Sequence, residues 1–192
     1  RYDGIQRLID FQQGTLASNN ASIGSATLTQ DWDLDPVGNW DGFNQGVSGV
    51  LNQTRTFNRV NEITDITNAG GQPIWIDPVY DDAGNTTLTP QPADPTAGFT
   101  LVYDAWNFPV EVKTSGGSPK TVAKYAYNGL RHRIRKQIHD AAGALSSTTL
   151  YFNTLGWQCV ESRETPVVGS PATTTYVWGV RYIDELVCRD RS

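Results

Sequence analysis

Apolar and polar residues alternate along this chain with a period of two. In Thr121-Val122-Ala123-Lys124-Tyr125-Ala126-Tyr127, residues Ala123, Tyr125 and Tyr127 share one face. In Gln30-Asp31-Trp32-Asp33-Leu34, Trp32 and Leu34 share one face and Asp31 and Asp33 the other. Successive side chains of a strand point to opposite faces, so this pattern predicts half-buried strands. Further strands are expected at Arg7–Phe11, Glu62–Ile66 and Val110–Val112. No helical period extends over eleven or more residues. Loops are marked by Pro90 to Pro95, by Ser115 to Pro119 and by Pro166 to Pro171. The predicted fold class is all-β, with repeated antiparallel hairpins forming one continuous spiral sheet.

The strands are punctuated by a repeat. An aromatic or large apolar residue is followed by Asp or Asn at Tyr2-Asp3, Leu34-Asp35, Phe57-Asn58, Tyr80-Asp81, Tyr103-Asp104, Tyr127-Asn128 and Phe152-Asn153, and Trp178 begins a degenerate copy. Starting at 2, 34, 57, 80, 103, 127, 152 and 178, the steps are 32, 23, 23, 23, 24, 25 and 26. The long first step is expected to hold an insertion near Ser18–Ser22. The pattern describes a single array of seven to eight units across residues 1–192, with loops that connect hairpins rather than domains.

One unit has a physical reading. The ring ends a strand and points into the layer. The Asp or Asn side chain bonds backbone two residues on, making a side-chain-capped turn. Four residues after the ring come Gly38, Asn61, Gly84, Asn107 and Gly156, types that tolerate positive φ. Gln6 and Arg131 occupy that position in two copies, where a different turn type is expected. Gly129 accompanies the Tyr127-Asn128 copy. A lone hairpin cannot bury its faces, so neighbours must pair edge to edge. Edges without a cap would seek other copies or further repeats.

These residues resemble the YD-repeat family, which includes bacterial RHS proteins, the shells of insecticidal toxin complexes and teneurins. The resemblance covers nearly the whole chain. It is carried by Tyr80–Asn85, Leu101–Asn107, Tyr127–Leu130 and Tyr176–Val187. It implies a β-sheet spiral that closes around a C-terminal cargo or toxin, in a protein exported or displayed at the bacterial surface. The family's self-cleaving aspartates belong to a core motif with no counterpart here. Gly156-Trp157 lacks the flanking Asp-Pro pattern, so an autoprotease role is not implied.

Composition supports a thin layer over a deep core. Of 192 residues, 38% are hydrophobic and 18% charged, below the apolar share of compact globules. The net charge of −5 argues against nucleic acid as a partner. No apolar run reaches the ~20 residues of a membrane span. The chain has no Met and starts in mid-motif, which reads as a piece of a longer polypeptide. Cys159 and Cys188 are either two separate small hydrophobes or one bridge between neighbouring strands.

Candidate chemistry is sparse, and neither a catalytic site nor a cofactor is expected. Asp31, Asp33 and Asp35 alternate like the first ligands of a calcium loop, but Pro36 and Gly42 stand where Gly and Glu are needed. They read as solvent-facing acids, with a weak cation site as the alternative. His132 and His139 lack zinc-ligand company. Gly46-Val47-Ser48-Gly49-Val50 is not a nucleophile elbow. Arg131, Arg133, Arg135 and Lys136 are either a dock for an acidic partner or a polar strand face paired with acids. The six Trp and eight Tyr are read as packing residues. Exposed instead, they would suit a surface adhesin that binds carbohydrate.

Overall fold

A computed structural model describes residues 1–47, 50–182 and 184–192. Ser48 and Gly49 of the Gly46–Val50 segment, and Ile183 of the Tyr176–Val187 segment, lie outside the described residues. The described residues form strands and turns, with no helix among them. They cluster into two compact units, Arg1–Gly98 and Phe99–Ser192.

The first unit carries β1 (Asp10–Leu16), β2 (Ile23–Leu34), β3 (Trp40–Val47), β4 (Leu51–Phe57) and β5 (Ile63–Asn68). These form one sheet in chain order, each strand antiparallel to the next. A short hairpin follows, of β6 (Val79–Tyr80) and β7 (Thr86–Pro90). The second unit runs through β8 (Gly98–Tyr103), β9 (Pro109–Thr114), β10 (Thr121–Tyr127) and β11 (Arg133–His139). It continues with β12 (Leu145–Asn153), β13 (Cys159–Pro166), β14 (Ala172–Trp178) and β15 (Leu186–Arg191). These eight also pair consecutively and antiparallel. Local pairing throughout follows from the repeat, since each turn delivers the chain straight to its neighbour.

The layer is thin, as a low apolar content requires. Among the described residues, the buried apolar side chains are Ile66 and Ala123, and the buried polar ones are Gln53, His132, Thr149, Ser162 and Thr174. On β12, Thr149 and Tyr151 face the more buried side, while Leu150 and Phe152 are exposed. Hydroxyls meet across strands there: Ser162 Oγ lies 3.3 Å from Tyr176 Oη. In the first unit, buried Gln53 (1% exposed) bonds Asn68 Oδ1 at 3.0 Å and accepts from Arg55 Nε at 2.7 Å. Polar groups can be buried at such points because partners satisfy them.

The first unit's sheet ends on a covered edge. Ile66 N donates to Asp77 Oδ1 at 2.8 Å and Ile63 N to Tyr80 Oη at 3.3 Å. Two amides of β5 that would otherwise template another strand are thereby occupied. By contrast, all six residues of β15 are exposed.

Several expectations need correcting. The extra residues of the first step do not sit in Ser18–Ser22. That turn is tight, with Ala17 N bonded to Ser22 O and Asn20 N to Ala17 O, both at 2.9 Å, and the length is taken up by the 12-residue strand β2. Gln6 and Arg131 do not adopt a different turn, since their φ values are 69° and 66°, in the same left-handed region as Asn61 and Gly84. The Phe152 copy is displaced by one residue. Asn153 ends the strand, paired to Cys159, Thr154 opens the turn, and Trp157 rather than Gly156 takes the positive φ, 71°. Cys159 and Cys188 are free thiols. They sit on β13 and β15 with β14 between them, so two strand spacings of ~4.8 Å put them beyond disulfide reach.

Gly84 shows what the turn demands. Its φ is 80°, while a Cβ built there would meet only ordinary contacts, the nearest being Glu62 Oε1 at 3.5 Å. Gly129 has open space and no positive φ. Gly84→Ala should therefore lower the urea unfolding free energy by about 1–2 kcal/mol through left-handed strain, whereas Gly129→Ala should leave stability nearly unchanged. Equal effects of the two would show that strain at φ is not the controlling term.

Candidate functional site: the turn rim

Because consecutive strands are antiparallel, every second turn of a unit emerges on the same margin. The repeat turns all fall there. In the first unit they open at Asp3, Asp35, Asn58 and Asp81, and in the second at Asp104, Asn128 and Thr154. Each closes between a strand-end residue and the residue six further on: Tyr2 with Leu8, Leu34 with Trp40, Phe57 with Ile63, Tyr80 with Thr86, Tyr103 with Pro109, Tyr127 with Arg133 and Asn153 with Cys159. The Trp178 copy uses a longer connection, closed by Gly179 N to Glu185 O at 2.7 Å and the pair Trp178 with Leu186.

The bonding inside the turn is uniform. The opening residue donates its N–H to the carbonyl four residues on, and its own carbonyl accepts from the residue three on. For Asp81 these distances are 3.0 and 2.9 Å, and for Asn128 3.0 and 2.9 Å. The side-chain Oδ1 accepts two further backbone N–H groups. Asp81 takes Ala83 and Asn85 at 3.0 and 2.9 Å, Asp104 takes Trp106 and Phe108 at 2.8 and 3.0 Å, and Asn128 takes Leu130 and His132, both at 3.0 Å. This is a type I turn whose third loop residue is left-handed, a three-residue hairpin connection. Thr154 is the exception, since its Oγ1 is buried without a partner.

A second rule sits at the residue four after the cap. Where the cap is Asp, that residue is often a donor: Arg7 Nε to Asp3 at 2.6 Å, Asn39 Nδ2 to Asp35 at 2.9 Å and Asn85 Nδ2 to Asp81 at 2.9 Å. Where the cap is Asn58, the residue is the acceptor Glu62, at 2.5 Å. The sequence shows this complementarity once the turn is known, while the aromatic-plus-Asp pattern does not include it.

Three turns are stitched to the preceding one by a strand-end ring. Tyr127 Oη donates to Pro109 O at 3.0 Å, and Trp178 Nε1 donates to Cys159 O at 2.7 Å. Tyr80 Oη accepts from Ile63 N, as described above. In all three, the ring reaches the closing residue of the preceding turn. A ring with a polar tip suits this position because its body packs while its tip satisfies backbone. Arg7 Nη1 makes an analogous link to Asp35 O at 2.8 Å.

Between successive turns lie shallow grooves. One of about 420 Å³ is lined by Asp104, Trp106, Phe108, Tyr127, Asn128 and Arg131. Another of about 330 Å³ is lined by residues that include His132, Arg133, Tyr151, Trp157, Tyr176 and Trp178. Trp106 is 73% and Trp157 61% exposed. The first unit has a comparable groove at Trp40, Arg55, Phe57, Asn61, Ile63 and Tyr80. Arginines lie over rings at these grooves: Arg55 over Trp40 at 5.1 Å, Arg131 over Phe108 at 5.9 Å, and Arg133 between Tyr125 and Tyr151 at 5.6 and 5.0 Å. Of the basic cluster, Arg131 and Arg133 take aromatic partners. Burial pulls the Arg55 guanidinium below its ordinary value.

The other candidates do not converge. Asp31 and Asp33 are exposed on β2, and Asp35 is committed to its turn, with Oδ1 accepting from Val37, Gly38 and Asn39. No group of three or more His, Cys, Asp or Glu able to hold a metal occurs among the described residues. His132 opens β11 from the rim, 4% exposed, with Nε2 unpartnered and its ring 4.4 Å from Trp157. His139 ends the same strand, with Nδ1 3.1 Å from Gly143 O. Burial pushes the Cys159 thiol up, against the thiolate a nucleophile needs.

One turn of the same type was missed by the sequence pattern. Asp140 accepts from Ala142 and Ala144 N, both at 2.9 Å, and Gly143 has φ 87°. It closes His139 with Leu145 on the opposite margin. The signal was present in Asp140-x-x-Gly143, the spacing of Asp81 and Gly84. Elsewhere a large apolar residue precedes the cap, and here His139 stands there.

No known family profile and no curated protein matches the sequence. Solved structures do share the fold. The chain is similar to a TcdB2-TccC3 crystal structure lacking the hypervariable C-terminal region, with TM-score 0.54 and 14% identity over 80% of this chain and 9% of that one. It is similar also to a Photorhabdus luminescens Tc holotoxin pore carrying a TccC3 mutant, with TM-score 0.55 and 12% identity over 97% of this chain and 10% of that one. The chain thus spans about a tenth of the length of the solved chains it matches. At this identity the likeness establishes an all-β architecture shared with chains of Tc toxin assemblies.

The capping carboxylates make a pH prediction. For Asp3 the bond from Arg7 backbone, then that from its side chain, holds the carboxyl below the ordinary 3.8. For Asp35 desolvation pulls upward, and bonds from Asn39, Gly38 and Val37 overcome it. For Asp81 the Asn85 side chain and backbone lower it. A depressed folded value means the unfolded chain binds more protons in this window. The contribution to stability is full above 3.8 and drains as pH falls through the folded values. Urea midpoints should hold level from neutral pH to near 4 and then decline (the ordinary Asp value being ~3.9). The triple variant Asp3→Asn, Asp35→Asn, Asp81→Asn should decline less steeply. An unchanged slope in that variant would assign the acid sensitivity elsewhere.

Proposed function

We propose that this chain is a non-catalytic wall segment of YD-repeat type. It belongs to an extracellular or surface-displayed bacterial shell whose role is to enclose or display a C-terminal cargo. The observation that carries this reading is the stitched rim. The rings of Tyr80, Tyr127 and Trp178 each bond a turn to its predecessor within a unit, which suits hairpins that repeat side by side as a wall. The shared fold with chains of Tc assemblies supports it. Its partners are further repeats of the same longer polypeptide, or other copies, at the exposed strand β15.

The test uses the full polypeptide that contains this chain. Its C-terminal region should resist limited proteolysis in the wild type and become cleavable in an Asp81→Ala, Tyr127→Ala double variant. Equal cleavage in both would refute enclosure.

A second reading, carbohydrate binding, is favoured by one specific observation: Trp106 and Trp157 stand exposed at grooves that also hold ring-stacked arginines. Oligosaccharide titration should then change tryptophan fluorescence in the wild type, and Trp106→Ala with Trp157→Ala should abolish the change. A flat titration of the wild type across neutral and acidic oligosaccharides removes this reading.

A further inference from the structure

The turn caps at Asn58 and Asn128 differ in a way that has chemical consequences. Sister turns place Asp at the same position: Asp3, Asp35, Asp81, Asp104 and Asp140. Asn58 is followed by Arg59, and its amide nitrogen is held by Glu62 Oε2 at 2.5 Å. Asn128 is followed by Gly129, the one Asn-Gly step in the chain. Its Oδ1 is fixed by Leu130 and His132 N–H, both at 3.0 Å, while its Nδ2 has no partner among the described residues. The residue four on, His132, supplies no acceptor comparable to Glu62. Asn128 and Gly129 are exposed, and nothing lies within 4 Å of where a Gly129 Cβ would stand.

We propose that Asn128 is a self-deamidating position, and that the turn itself promotes the reaction. Bonding Oδ1 to the amide two residues on folds the side chain back over the intervening peptide, which brings Cγ toward the Gly129 nitrogen. The two N–H donors polarise the Cγ carbonyl, as donors at an oxyanion position do. Gly129 has no side chain to obstruct approach of its nitrogen. The Gly129 nitrogen, losing its proton to solvent, forms a bond to Cγ, and the C–N bond to Nδ2 breaks with release of ammonia. A five-membered succinimide results. Water then adds to one ring carbonyl and the ring C–N bond opens, its nitrogen regaining a proton. The net change is one water consumed and one ammonia released. Opening at Cα's carbonyl side gives isoaspartate; opening at Cγ gives aspartate.

The aspartate product matches the cap used by the five sister turns. It keeps the two backbone bonds and makes them charge-assisted, which strengthens them. The isoaspartate product lengthens the backbone by a methylene, so it cannot keep the Asn128 N to His132 O and Arg131 N to Asn128 O bonds together. Either product adds one negative charge to a chain of net charge −5 and places it in the groove shared by Asp104 and Arg131. The Arg131 guanidinium, which lies over Phe108, gains a second acid beside Asp104 in the same groove.

The experiment ages folded protein in mildly alkaline buffer and maps its peptides by mass spectrometry. Asn128 should convert first while Asn58 stays intact, and the ammonia released should equal the Asn128 lost. Gly129→Ala should slow conversion strongly without changing stability. Asn128→Asp should co-migrate with the aspartate fraction on isoelectric focusing and unfold at higher urea than the unaged wild type. If Asn128 survives in the folded protein while urea-unfolded protein converts, the turn protects the residue and the proposal is wrong. Conversion of Gly129→Ala at the wild-type rate overturns it equally.

Discussion

Most turns of this fold depend on one interaction: a side-chain oxygen at the first position of the turn accepting two backbone N–H groups. It satisfies donors that the loop would otherwise leave open and favours a left-handed third loop residue, while the Thr154 turn keeps the same backbone bonds without it. With it, the strand-end residue must pair with the residue six further on, and the register of both flanking strands follows. The cost of positive φ at Gln6, Asn61, Asn107 and Arg131 is about 1–2 kcal/mol for each L residue that lacks local help. Four bonds per turn offset that. This is why residue types as different as Gly84 and Arg131 serve at one position.

The sequence was legible where one residue type carries one geometric role. The stride, the all-β class and the hairpins could be read because the ring and the cap recur together. It was illegible where two registers compete. Around Phe152, local chemistry favours Asn153 as cap and Gly156 at positive φ. The structure instead uses Thr154 and Trp157, accepting an orphaned hydroxyl and a left-handed Trp. What compensates is non-local. Asn153 Nδ2 reaches Arg133 O, Trp157 packs on His132, and β12 keeps Tyr151 on the buried side. Such sheet-wide terms are invisible to a window of six residues. The Asp140 turn was missed for the opposite reason, since the local signal was complete but the pattern asked for a ring.

The grooves between turns are a by-product of this geometry. Stitching brings turns close at their bases, while their tips carry side chains that cannot pack inward, among them Trp106, Leu130 and Leu155. Arginines fill part of the space, with their guanidinium groups over the rings. A thin layer built from hydroxyls, amides and half-buried rings needs such lateral contacts because it has little apolar interior. The 38% hydrophobic content is thus a consequence of single-layer construction.

The two margins of each unit obey different laws. Along one, spacing is fixed by the capped turn. Along the other, connections range from the tight Ala17–Ser22 reversal to the Pro-rich 91–97 stretch and the 115–120 loop. Length varies there because the links between connections, such as Lys120 Nζ to Ala141 O at 3.1 Å, do not impose one turn geometry. Within each unit, then, new peptide can be grafted at the variable margin without disturbing the capped turns, which separates the evolution of surface features from the preservation of the scaffold.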